Sequence, residues 1–200
     1  MGRSAFGCGA SKPIRVFVCA KLPSSSVSAL SRWIALRRAE CPGVRWVSAD
    51  TIHITLKFCG EIEQNTVGAL CAQLGKEDLG NAFRLCISGI GGFPSLSSPR
   101  VIWAGIKGQT AELRRLWYVV ENCARSFGIE EERRFSPHIT LGRRKDTAPP
   151  GPAFAAALLK DAIELPEWTV EEIIMMESKL TPGGAIHTPL ERFPLKKLLI

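Results

Sequence analysis

Residues 53–60 read HITLKFCG, and the same four letters return at residues 138–143, which read HITLGR. In the first stretch apolar and polar residues alternate, a period typical of a β-strand with one buried face. The alternation predicts that one face carries Ile54, Leu56 and Phe58 and the other carries His53, Thr55 and Lys57. The chain contains three histidines, and two of them begin His-Ile-Thr-Leu. This recurrence indicates an internal duplication with pseudo-twofold symmetry.

The patterns around these stretches predict strands and helices that intermix without the regular alternation of a parallel doubly wound sheet. We therefore expect an α+β fold. The duplication predicts a two-lobed, pseudo-twofold arrangement of antiparallel sheets with outer helices and a cleft between the lobes. Residues 1–12 are expected to form a disordered lead-in, and residues 13–200 a single domain made of two similar lobes.

The composition is that of a folded protein, with 200 residues of which 46% are hydrophobic and 22% charged. No uncharged apolar run approaches the roughly 18 to 20 residues that span a bilayer, so no membrane association is expected. The seven cysteines are odd in number and irregularly spaced, which favours free thiols in a reducing cytoplasm. The net charge of +7 favours an anionic partner such as a nucleic acid or a nucleotide.

A histidine and a threonine two positions apart on a strand point the same way, roughly 6.6 Å apart, so both can reach one phosphate group. Two histidines across a cleft form an acid–base pair, because imidazole titrates near pH 6.5. Displacement at phosphorus runs roughly in line, which suits one histidine on each side. The threonine hydroxyls can donate to the non-bridging oxygens, and Arg143 can add a charge-assisted hydrogen bond.

The two motifs, in the contexts HITLKFCG and RRFSPHITLGRR, are accompanied by GIGGFPS at 89–95 and VIWAGI at 101–106. Together they resemble the two-histidine (2H) phosphoesterase superfamily. Within it they are most similar to the RNA 2′,3′-cyclic phosphodiesterases, also called LigT-like proteins or 2′-5′ RNA ligases. The resemblance covers nearly the whole chain from about residue 13.

The resemblance implies a role for each matching residue. His53 is the general acid that protonates the leaving ribose O3′, and His138 is the base that activates water. Thr55, Thr140 and Arg143 bind the substrate phosphate. The implied substrate is an RNA end or nucleotide with a 2′,3′-cyclic phosphate, opened to a 2′-phosphate without a metal or other cofactor, with 2′-5′ ligation as the reverse reaction. A cytoplasmic monomer is expected.

One position departs from the family pattern. An aromatic residue, often tyrosine, is expected near the C-terminus, where this chain has His187 in GGAIHT. The departure puts a base-stacking role there in doubt but leaves the phosphate chemistry unaffected.

Two other kinds of function remain open from the sequence. The strands could hold RNA or nucleotide phosphate without turnover, as a binding module. Alternatively, the histidines could be metal ligands in a metallohydrolase, although the chain lacks HxxxH, HxH or neighbouring acidic ligands.

Overall fold

The computed structural model describes residues 12–145, 152–161 and 163–197. The predicted lead-in lies outside these residues except for its last position. Within them the chain forms four helices: α1 (Ser24–Glu40), α2 (Gln64–Leu74), α3 (Thr110–Ser126) and α4 (Pro152–Leu159). The strands are β1 (Ile14–Ala20), β2 (Val44–Trp46), β3 (Ile54–Ile62), β4 (Phe83–Phe93), β5 (Val101–Gly108), β6 (His138–Arg144), β7 (Trp168–Val170), β8 (Glu172–Thr181) and β9 (Gly184–Pro194).

The strands join in one sheet of order β7-β4-β5-β6-β3-β1-β8-β9, and the short β2 pairs with β6 beside this path. Each pairing of named strands is antiparallel. The α+β class and the antiparallel strands are therefore confirmed. The halves are not separate sheets, however, because β3 and β6 pair at Ile54 and Ile139 and make the sheet continuous.

The connections around the two motifs repeat. In the first half β1 leads through α1 to β3, and in the second half β5 leads through α3 to β6. The outer strand of each unit pairs antiparallel with the motif strand, β1 with β3 and β5 with β6. Each motif thus enters the centre of the sheet from an equivalent strand–helix–strand unit.

Helices cover one side of the sheet, which we call the helix face. Trp33 of α1 packs edge-on against Trp46 of β2, with ring centroids 5.9 Å apart. The buried side of α3 carries the apolar residues that its helical spacing predicts: Leu113, Leu116, Trp117, Val120 and Cys123. The opposite side, the site face, has its own small buried cluster of Phe17, Cys19, Ile174 and Met176.

Two expectations from composition can be compared with the described residues. The cysteines among them, which exclude Cys8, are all free thiols. None of the helices found there has the length and apolar character that crossing a bilayer requires.

Candidate active site

The strand that carries the first motif does not keep a simple alternation. Thr55 pairs with Cys19 and Lys57 pairs with Val18, so Leu56 is an extra residue in β3, a β-bulge. A bulge reverses which face each later residue occupies. Phe58 therefore lies on the face of His53 and Thr55, whereas Lys57 points to the helix face.

This arrangement contradicts the sequence-based assignment of both residues. Phe58, expected in the core, is 51% exposed on the site face. Lys57, expected on the polar face, is fully buried.

The second motif has the same irregularity at the equivalent position. Thr140 pairs with Trp103 and Gly142 pairs with Ile102, which leaves Leu141 as the bulged residue of β6. Beyond it Arg143 pairs with Val101 and shares the site face with Thr140. Each motif thus delivers three side chains to one face: the histidine, the threonine two residues later, and the residue five positions after the histidine.

Arg143 reaches the site face by a different route from the one its sequence context suggests. Gly142 could have broken the strand and turned the chain, but β6 continues through it to Arg144. A Cβ at Gly142 would lie 2.7 Å from Cγ1 of Val44 and 3.0 Å from Cε3 of Trp46. Glycine suits this position because the side chains of Val44 and Trp46 fill the space that a Cβ would take, and the bulge orients Arg143.

The two motifs meet where β3 and β6 pair. The Ile54–Ile139 pair fixes an antiparallel register in which His53 lies toward Thr140 and Thr55 toward His138. In a regular antiparallel pair such directly opposite positions have Cβ atoms about 4.5–5.5 Å apart, and the diagonal positions, here the two histidines, are about 7–8 Å apart. The four side chains therefore surround one location, with a histidine at each of two opposite corners. All four are half-buried, so that location is open to solvent.

His138 is held in one orientation and one neutral tautomer. Its Nδ1 lies 2.7 Å from the carbonyl oxygen of Ser136. A carbonyl can only accept, so Nδ1 carries the hydrogen and Nε2 of the neutral ring is the free acceptor. The ring also contacts Phe93 edge-on, with centroids 5.1 Å apart. Burial lowers the pKa of His138, the Ser136 carbonyl opposes this, and the charge of Arg143 lowers it further.

His53 lies in a more apolar setting. Its ring stacks on Phe17 with centroids 4.8 Å apart. Burial lowers the pKa of His53 to about 3, the charge of His187 adds to the effect, and a backbone hydrogen bond with Thr51 opposes it. The free protein therefore holds His53 mostly neutral at physiological pH.

His187 belongs to this group of rings, which the sequence could not establish. On β9 it pairs with Ser178 of β8, and its ring centroid lies 5.3 Å from that of His53 and 4.8 Å from that of Phe17. Burial lowers its pKa, and Lys21 contributes in the same direction. Both contacts depend on pairing β8 with β1 across the sheet, which no local pattern reveals.

A buried ion pair lies under the first bulge, on the helix face. Nζ of Lys57 donates to Oε1 of Glu121 at 2.8 Å and to the carbonyl oxygen of Glu130 at 2.5 Å. The same Glu121 oxygen accepts a hydrogen bond from the backbone N–H of Glu132. These contacts tie the bulge of β3 to the segment that leads into the second motif.

No set of three or more histidine, cysteine, aspartate or glutamate side chains within the described ranges is grouped so as to hold a metal ion. The site donors are instead imidazole, hydroxyl and guanidinium groups, a set suited to binding an anion.

The duplication is also visible when the chain is compared with known families. The model of the family described as "LigT like Phosphoesterase" matches twice, over residues 21–103 and 105–187, and each match contains one His-x-Thr motif. The chain belongs to the LigT-like phosphoesterase family. The motifs alone indicate this membership, and the double match confirms it.

Two relatives of this LigT-like chain carry the same name. It is 32% identical to an RNA 2′,3′-cyclic phosphodiesterase of Archaeoglobus fulgidus over 152 residues, 76% of this chain and 84% of the relative. It is 34% identical to a protein of the same name from Aeropyrum pernix over 149 residues, 74% of this chain and 84% of the relative.

Solved structures of LigT-like proteins have the same fold. Escherichia coli LigT complexed with 3′-AMP superposes with a TM-score of 0.72 at 28% identity, covering 92% of this chain and 99% of LigT. The protein TT0787 of Thermus thermophilus gives a TM-score of 0.74 at 29% identity, covering 92% of this chain and all of the other.

Proposed function

We propose that this protein is an RNA 2′,3′-cyclic phosphodiesterase that opens the terminal cyclic phosphate of an RNA to a 2′-phosphate. The observation that carries the proposal is the meeting of two His-x-Thr motifs on one face of the sheet. The names of the chain's relatives indicate which reaction this arrangement serves.

The reaction requires a base on one side of the phosphorus and an acid on the other. Nε2 of His138 takes a proton from water, whose oxygen forms a new bond to phosphorus. The bond from phosphorus to O3′ breaks in line, and His53 gives its proton to O3′, leaving the phosphate on O2′. The tautomer of His138 supports the base role, because its hydrogen bond to Ser136 leaves Nε2 as the acceptor.

The remaining side chains stabilise the charge that develops on the phosphate. Thr55 and Thr140 donate their hydroxyl hydrogens to the non-bridging oxygens. Arg143 offers a planar fork to two oxygens on the same face. Fixed donors aimed at developing charge contribute most when water is partly excluded, as it is beside the half-buried threonines.

The low pKa of His53 is compatible with an acid role only if the substrate changes it. A cyclic phosphodiester carries a negative charge, and an anion next to an imidazole favours its protonated form. Substrate binding is therefore expected to raise the pKa of His53 and to take up a proton. In the empty site, burial and the charge of His187 act in the opposite direction.

Phe58 makes RNA a suitable substrate. Its ring is 51% exposed on the site face, five residues from His53. A nucleobase can stack on such a ring without regard to its identity, for about 1–3 kcal/mol per base. The terminal base next to the cyclic phosphate is the natural occupant.

The proposal is tested with an oligoribonucleotide that ends in a 2′,3′-cyclic phosphate, incubated with and without excess EDTA. We expect a 2′-phosphate product at the same rate in both. Tight binding without product would favour a non-catalytic phosphate-binding module, and a rate that EDTA abolishes and a divalent ion restores would favour the metallohydrolase. Reverse 2′-5′ ligation, a cytoplasmic location and a monomeric state remain predictions, the last testable by size-exclusion chromatography.

A further inference from the structure

A second arginine lies beside Arg143. β2 pairs with β6 so that Arg45 is directly opposite Arg143. Side chains directly opposite each other on antiparallel strands project from the same face. Arg45 therefore lies on the site face, and both arginines are exposed.

The orientation of Arg45 is fixed by its neighbour. Trp46 is only 9% exposed and packs against Trp33 on the helix face. Because successive strand residues alternate, the burial of Trp46 directs Arg45 to the other side. The short β2 is thus anchored from one face and presents a single cation on the other.

Two like charges directly opposite each other on neighbouring strands destabilise a sheet. Within the described ranges neither guanidinium forms an ion pair or hydrogen bond that would offset the repulsion. An arrangement that costs folding stability and faces the site is suited to binding phosphate anions.

The distance of the two arginines from the reaction centre indicates which anion Arg45 binds. The motifs meet at Ile139, and Arg143 lies four residues further along β6. At about 3.3 Å per residue, the arginine pair lies roughly 10 Å along the strand from that point, allowing for the bulge. Thr55, Thr140 and Arg143 already serve the reacting phosphate, so Arg45 is placed for a neighbouring phosphate of the same strand.

We propose that Arg45 binds the internucleotide phosphate next to the cyclic phosphate, so that the protein prefers an RNA end to a free nucleoside 2′,3′-cyclic phosphate. This inference rests on the proposed function and adds the requirement for a second, charged linkage. The phosphate is recognised through its charge and oxygens, so the preference is independent of base sequence.

The test is a two-by-two cycle of protein and substrate. Wild type and Arg45→Gln are assayed on a dinucleotide that ends in a 2′,3′-cyclic phosphate and has either a natural phosphodiester or an uncharged methylphosphonate linkage. We expect Arg45→Gln to lower kcat/KM for the natural dinucleotide about tenfold or more. The methylphosphonate linkage should lower kcat/KM of the wild type by a similar factor but lower that of the variant little further. The substitution and the uncharged linkage remove the same contact, so their effects should not add.

Nucleoside 2′,3′-cyclic phosphate and Arg38→Gln are the controls. The mononucleotide lacks the second phosphate, so its kcat/KM should change less than about twofold in Arg45→Gln. Arg38 is an exposed arginine of α1, and its replacement should leave the dinucleotide rate unchanged. An equal loss on mononucleotide and dinucleotide, or independent effects of the two changes in the cycle, would overturn the proposal.

Binding separates this inference from the proposed function. The same cycle is measured as Kd in a His138→Ala background, where turnover is not needed. Coupling between Arg45 and the linkage charge in that background supports the subsite, even if the wild type opens no cyclic phosphate. Absence of this coupling refutes the subsite, even if the wild type is active.

Discussion

The Nδ1 atom of His138 donates to the carbonyl oxygen of Ser136, whereas the ring of His53 stacks on Phe17 with centroids 4.8 Å apart. The two histidines of the duplicated motif thus differ in their aromatic surroundings, and burial lowers the pKa of both. One has a fixed neutral tautomer suited to accepting a proton. The other, His53, stacks on Phe17 and requires a bound anion to remain protonated.

The pH dependence of kcat/KM should be bell-shaped with its maximum on the acid side of neutrality. This parameter reports the free enzyme, in which the pKa values of both His53 and His138 are lowered. The active form holds one proton on the pair. As pH rises, kcat/KM increases when the doubly protonated histidine pair loses one proton. It decreases when the pair loses its remaining proton, at a pH below the ordinary imidazole pKa near 6.5.

The profile of kcat itself should lie at higher pH, because the bound phosphate anion raises both pKa values. Both profiles come from one set of initial rates measured between pH 4 and 9. A kcat/KM maximum above pH 7.5, or a kcat profile displaced toward acid, would contradict this description of the site.

Replacing His187 with phenylalanine should raise the pKa of His53. The charge of His187 is the second cause of its depression, and phenylalanine keeps an aromatic ring against Phe17 while removing that charge. Burial remains, so the pKa should stay below 6.5. The chain has only three histidines, so NMR titration of the ring resonances resolves each one. An unchanged titration of His53 would show that His187 serves only in packing.

Arg143→Ala should lower kcat/KM by a factor equivalent to about 2–4 kcal/mol, the scale for losing a donor to developing charge. Arg143→Lys should retain part of the activity, since it keeps the charge but not the fork. The control is Arg38→Ala, at an exposed position on α1. Arg144 is unsuitable as a control because its guanidinium lies over the ring of Phe154 on the helix face. Equal activity of Arg143→Ala and wild type would remove Arg143 from the site.

Lys57→Met should destabilise the fold by about 3–5 kcal/mol, because it leaves the Glu121 carboxylate buried without its cation. The double variant Lys57→Met/Glu121→Leu should recover most of this loss, since two apolar side chains can replace a buried ion pair. Urea unfolding of the three proteins gives the free energies. A single variant as stable as the wild type would mean that the pair contributes nothing to folding.

Local sequence patterns predicted part of this structure. Alternation predicted that the motif lies on a strand, and the repeated motif predicted an internal duplication with one histidine in each half. The bulges at Leu56 and Leu141 could not be predicted, because the extra residue is defined only by the register against the partner strand. This is why Lys57 and Phe58 were assigned to the wrong faces.

The positions of Arg45 and His187 on the site face could not be predicted for a similar reason. Both depend on strand pairings remote in sequence, β2 with β6 and β8 with β1. Arg143 shares the face of Thr140, and the bulge at Leu141 rather than a turn at Gly142 brings it there; its contact with phosphate stays a prediction.

The most direct test of the two-histidine chemistry is the turnover of a cyclic-phosphate RNA end by His53→Ala and His138→Ala, with the product identified by ³¹P NMR. The wild type should yield only the 2′-phosphate. Each variant should lose about 10²–10⁴ in kcat, and the double variant less than the product of the two losses, because the residues act as a unit. A 3′-phosphate product, or wild-type turnover in either single variant, would contradict the assignment of His53 as the acid and His138 as the base.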